Sequence, residues 1–154
     1  VETRRQSKRA RLSRLLAERP AGLLTEADFG LLRERLAPIS ETYLRNLVRS
    51  SGLPLDPVVE GVRQDSFQEL ARTLLALSVE YQRAVDAGDQ GRAARCRRAV
   101  LTGKEHARLA ARRPGLPPER RAEKQEMASW MLIWLENPQI FPMWLELRKR
   151  AAGW

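Results

Sequence analysis

The sequence predicts an all-α protein, a bundle of six or seven helices that includes one long αα-hairpin. Two observations carry this. Every apolar pattern in the 154 residues has a helical period, and each junction between patterns holds a cap or a breaker. No run of alternating polar and apolar residues finds a second run to pair with as a sheet. Three segments are expected, 1–23, 24–64 and 65–154, folded together as one compact domain.

Residues 2–19 read as a basic helix or arm with seven Lys or Arg against two Glu. Leu12, Leu15 and Leu16 give its second half a weak apolar face, and Pro20 and Gly22 end it. Arg4, Arg5, Lys8 and Arg9 are candidates for contacts with a nucleic-acid backbone, since positive side chains bind by neutralising phosphates. A solvated terminus is the alternative.

From Leu24 to Gly52 the pattern is two short helices joined by a tight turn. Thr25 and Asp28 have the spacing of a capping box in its carboxylate form. Pro38 disfavours helical geometry at Ala37 and removes a backbone donor, and Ser40 then caps a new helix. Leu44, Leu47 and Val48 mark its inward face. Thr42, Arg45, Asn46 and Arg49 recur at i, i+3, i+4 and i+7 on the outward one.

That stripe has the chemistry of a major-groove reader. Arg can fork onto guanine, Asn can pair with adenine, and a Thr methyl can meet that of thymine. Tyr43 could reach a phosphate from the flank. The helix pair resembles the helix-turn-helix DNA-binding proteins, with Ala-Pro-Ile in the turn where many members place glycine. The resemblance covers residues 24–52 and implies that residues 40–52 form the reading helix. An ordinary αα corner with a solvated outer face is the alternative.

After Gly52, Asp56 and Pro57 open a brief helix in a proline-containing connector. Ser66 and Glu69 start a long one, in which Phe67, Leu70, Leu74, Leu77, Tyr81 and Ala84 form a seam of large residues. Ala71, Leu75 and Val79 should broaden that seam. Gly88 and Asp89 end this helix and cap the next, where Ala93, Cys96, Val100, Gly103, Ala107 and Ala110 form a seam of small residues. Large against small predicts close antiparallel packing. On the far side Arg97, Lys104, Arg108 and Arg112 line up as a basic ridge, with only Glu105 nearby to relieve it. They are further candidates for phosphate contacts.

Pro117 and Pro118 begin another helix, basic through Arg120, Arg121 and Lys124 and then almost wholly apolar from Met127 to Leu135. An apolar surface all round predicts burial on several sides. Trp130, Trp134 and Trp144 belong to the core on this reading. Apolar surface left over on these Trp-rich C-terminal helices would mark a homodimer contact.

Net charge is +9, unevenly placed. The blocks 1–19 and 89–125 carry +5 and +7, while 20–88 carries −3, so any grip on phosphates must come from the two basic blocks. Cys96 and His106 are the only residues of their kinds, which excludes an internal disulfide and leaves no zinc site. His106 follows Glu105 directly, so the two point to different sides of a helix and form no catalytic dyad. No phosphate loop or dinucleotide fingerprint is present, and no enzymatic activity, metal or cofactor is expected. The first residues lack an apolar signal segment and no run is long enough to span a membrane. The expected location is cytoplasmic. Two functions are compatible with these features: a double-stranded-DNA-binding regulator, for which DNA is favoured over RNA, or a non-enzymatic helical adaptor for an acidic protein or RNA.

Overall fold

A computed structural model describes residues 4–19 and 22–153, with side chains from residue 8 onward. The fold is all-α. The helices are α1 (Arg4–Ala17), α2 (Glu26–Arg35), α3 (Glu41–Ser50), α4 (Pro57–Glu60), α5 (Phe67–Asp86), α6 (Gln90–Ala111), α7 (Pro118–Glu136) and α8 (Phe141–Ala152). Among the described residues the count exceeds the expected six or seven through α4, a single turn. Among the described residues extended pairing is limited to one bridge, Leu24 with Leu55. The chain divides into two compact units, 1–60 and 61–154.

The first unit gathers α1 to α4 around Leu12, Leu24, Phe29, Leu32, Leu36, Leu44, Leu47 and Val48. Leu12 is buried and Leu15 and Leu16 pack against the same cluster, so the basic N-terminal segment is a helix seated on a core. At the start of α2, Thr25 Oγ1 accepts from the Asp28 amide and Asp28 Oδ2 accepts from the Thr25 amide, both at 3.1 Å. Ser40 Oγ accepts from the Tyr43 amide and starts α3. Asp56 Oδ1 accepts from the Val58 amide at 2.9 Å, which starts α4. The Leu24 amide donates to the Pro54 carbonyl and the Asp56 amide to the Leu24 carbonyl, each at 2.9 Å. These two bonds fasten the segment before α2 to the one after α3.

In the second unit α6 packs along α7 and α5, and α8 lies against α5. The small seam of α6 is buried through Cys96, Val100, Gly103, Ala107 and Ala111. It receives two neighbours, not one. A Cβ on Gly103 would lie 3.0 Å from both Met131 Sδ and Val62 Cβ, so the glycine permits a close approach by α7 and by the segment before α5.

Two expectations require correction here. Val79 is exposed, while Thr73 and Ser78 are buried on the inner face of α5. Their hydroxyls are used: Thr73 Oγ1 accepts from the Arg63 amide at 3.1 Å, and Ser78 Oγ accepts from Trp134 Nε1 at 2.8 Å. A satisfied hydroxyl can occupy a core position that composition alone would give to valine. Helix α7 is also not buried all round. Met127, Trp130, Met131 and Trp134 face inward at i, i+3, i+4 and i+7, whereas Ser129 and Leu132 are exposed.

Trp130, Trp134 and Trp144 make ring contacts in the core of this unit. Trp130 lies 5.1 Å from Phe67 and 5.7 Å from Trp144 between ring centres, and Trp134 lies 5.9 Å from Tyr81. No helix among the described residues is long and apolar enough to cross a membrane.

Candidate nucleic-acid interface

Helix α3 is two-sided because Leu44, Leu47 and Val48 are drawn into the core of the first unit. Thr42 and Asn46 consequently stand exposed on the opposite face. The two arginines of the stripe are placed differently. Arg45 Nη2 donates to Glu41 Oε1 at 3.0 Å one turn back, and its Nε is shielded from solvent with no hydrogen-bond partner. Arg33 approaches the same Glu41 at 3.7 Å. Arg49 Nη2 donates to the Glu60 carbonyl at 2.7 Å, which ties α3 to the end of α4. Both arginines are half-buried. Tyr43 is also half-buried, packed against the core of its unit.

On α1, Arg9 is exposed and Lys8 is half-exposed. Arg11, close by, donates to the Arg35 carbonyl at 2.5 Å. The side chains of Arg4 and Arg5 lie outside the described residues.

In the second unit the ridge of α6 is formed as its spacing requires. Arg97, Arg108 and Arg112 are exposed and Lys104 is half-exposed, with Arg112 capping the C-terminus of the helix. A cation there is favoured by the helix dipole. The ridge forms one wall of a groove of about 640 Å³ between α6 and α7. Lys104, Arg108 and Arg112 line it from α6, and Arg121, Gln125 and Leu132 from α7. No carboxylate is among the lining side chains.

Some basic side chains of the unit meet acids: Arg72 with Glu69 at 3.0 Å, Arg92 with Glu80 at 2.9 Å, Arg83 with Glu80 at 2.9 Å, and Arg148 with Glu126. The groove gathers side chains that, Arg108 apart, do not. Of the lining cations Arg108 alone has an acidic neighbour, Glu105 at 3.2 Å, and both side chains are about half exposed. The side chains of Lys104, Arg112 and Arg121 make no ion pair among the described residues.

Arg121 was not singled out by the sequence. It reads in the sequence only as part of the basic start of α7, with Arg120 and Lys124. Only the return of the chain through Arg113–Pro117 sets it across from the ridge. His106 is exposed, and Cys96 is fully buried on the packing seam.

Comparison of the chain with protein-family models, with curated proteins and with solved structures gives no match. The candidate interface therefore rests on its own residues.

Proposed function

We propose that the protein binds nucleic acid, duplex DNA foremost, as a regulator in which α3 faces base edges and the basic helices hold phosphates. One observation carries the reading: Lys104, Arg108, Arg112 and Arg121 gather along α6 and the start of α7 with no carboxylate among the lining side chains and only Arg108 in an ion pair among the described residues. Held together, such charges repel one another, and a polyanion that replaces its counterions with them gains free energy. In the first unit Thr42 and Asn46 are open to a partner. Arg45 contributes to reading on exchanging Glu41 for a base. That exchange is cheap, because the Glu41 side is exposed and an i,i+4 pair within one helix is worth only about 0.3–0.5 kcal/mol. Arg49 is held more firmly and serves chiefly to fix α3.

The test is a titration of the whole chain against duplex DNA, single-stranded RNA and an acidic polypeptide at low and high salt. Duplex DNA should bind tightest and weaken steeply with salt. Preference for RNA or for the polypeptide would replace this reading with that of a helical adaptor. The homodimer expected of the C-terminal helices would use Ile140, Met143 and Leu147, which are exposed on one face of α8 while Trp130 and Trp134 are buried. Sedimentation of the whole chain and of Met143→Lys reports on it.

A further inference from the structure

The groove between α6 and α7 differs from a ridge that merely follows a phosphate backbone, because its two ends have different chemistry. The helices are joined by the short Arg113–Pro117 link, so they run antiparallel and their sequence order gives the order along the groove. Arg112 and Arg121 stand nearest the link, and Arg108 follows one turn along α6. On α7 the succession is Arg121, Gln125, Ser129 and Leu132, a passage from charged to polar to apolar over about three turns. Ala111 and Ala128 contribute small apolar surface between the walls. Leu132 is 46% exposed at the end of the groove away from Arg112 and Arg121, where Lys104 lines the facing wall of α6.

We propose that this groove binds a nucleotide-sized phosphorylated ligand, its phosphates among Arg108, Arg112 and Arg121 and its organic body over Ala128 and Leu132. The volume of about 640 Å³ falls within the range of small-ligand sites. Arginine forks match phosphate oxygens two at a time, and those of Arg112 and Arg121 are committed to no other group among the described residues. The Arg108–Glu105 pair is half exposed and yields readily to a phosphate. Gln125 and Ser129, both exposed on the α7 wall, offer polar contacts midway. A duplex carries its phosphates on a convex surface and cannot bring a base down to Leu132. The site thus goes beyond the nucleic-acid reading and does not depend on it.

Calorimetric titration of the whole chain with ATP, inorganic tripolyphosphate and adenosine, at about 0.15 M salt and with no nucleic acid present, tests the site. ATP should bind saturably, tripolyphosphate more weakly and adenosine not measurably. Replacing Arg112 and Arg121 together by Ala should weaken ATP by about tenfold or more. Leu132→Gln should bring ATP down to the level of tripolyphosphate. The double change Arg98→Ala and Arg150→Ala removes equal charge from the same unit at exposed positions outside the groove and should leave ATP within about twofold. These are surface positions, and unchanged thermal melting would verify that each variant is folded. Loss of ATP binding in the Arg98 and Arg150 variant equal to that in the groove variant overturns the proposal, as does an ATP affinity no better than that of tripolyphosphate. Failure of ATP and tripolyphosphate to bind overturns it as well, and because the assay contains no nucleic acid, that result leaves the duplex titration to be decided separately.

Discussion

At the first turn of α2 the Asp28 carboxylate accepts from the Thr25 amide and from Arg19 Nη2, each at 3.1 Å. The backbone bond from Thr25 is the chief cause holding its pKa below the ordinary 3.8, with the Arg19 charge adding to it. A depressed folded value stabilises fully above 3.8, and the gain is lost as pH falls through the folded value. Asp28→Asn should therefore cost about 0.5–1 kcal/mol at neutral pH, kept small because the carboxylate is more than a third exposed. Urea melts should show the gap to the parent protein closing as pH falls below 3.8 and through the folded value. An equal gap at both pH values would mean that shape, not charge, sets the effect. This cap was legible in the sequence because its partners are three residues apart. The partner of Arg49 was not: the Glu60 carbonyl comes within reach only once α4 has turned the chain back. Glu41 stands at a readable i−4 spacing from Arg45, on the same outward face as the stripe.

The packing of α6 shows what a periodic pattern can and cannot say about an element. Its seam of small residues gives the buried face at Cys96, Val100, Gly103 and Ala107, since period and size are both local properties, but Ala111 is buried where Ala110 is expected and Ala93 is only partly buried. What fills the seam is not local. Met131 and Val62 both press on Gly103, and neither belongs to the helix expected there. Alanine is the better helix former by about 1 kcal/mol, yet Gly103→Ala should bring no gain in melting temperature, because its Cβ meets the branched carbon of Val62. Ala107→Leu, at a fully buried site of the same seam, should cost about 1–3 kcal/mol. On α7 the apolar run from Met127 to Leu135 concealed which side had no neighbour, and composition could not separate Trp134 from Leu132. Trp134 is fixed by Nε1, which donates to the Leu74 carbonyl at 3.1 Å and to Ser78 Oγ at 2.8 Å. Trp134→Phe removes the shared donor and should cost about 1–3 kcal/mol in a denaturant melt. A smaller loss would mean that water replaces the indole.

For the whole molecule the question is which charges set affinity and which set preference, since positioning and specificity are carried by different contacts. The net charge of +9 makes attraction to any polyanion the default, so a measured affinity by itself decides little. Salt dependence and sequence preference separate the contributions. Exchanging Lys104, Arg108 and Arg112 together for Ala should weaken every duplex alike and flatten the plot of log affinity against log salt by about one unit for each phosphate no longer neutralised. Arg45→Ala should act differently. Its guanidinium must leave Glu41 to meet a base, so its loss should cost about 1–3 kcal/mol on a preferred site, much less on random duplex, and shift the salt slope little. Asn46→Ala, at an exposed position with no such exchange to make, should show the same preference without an offset from a broken ion pair. Fluorescence anisotropy on a selected and a scrambled duplex at two salt concentrations measures all three. If only the triple variant has an effect, α3 is a packing corner and the protein grips backbones. If neither α3 variant nor the triple variant changes binding, the cation surplus on α6 serves another partner. Loss of preference in Arg45→Ala with an unchanged salt slope is the expected result, because an arginine already neutralised by Glu41 carries little of the long-range attraction and can contribute only where it touches.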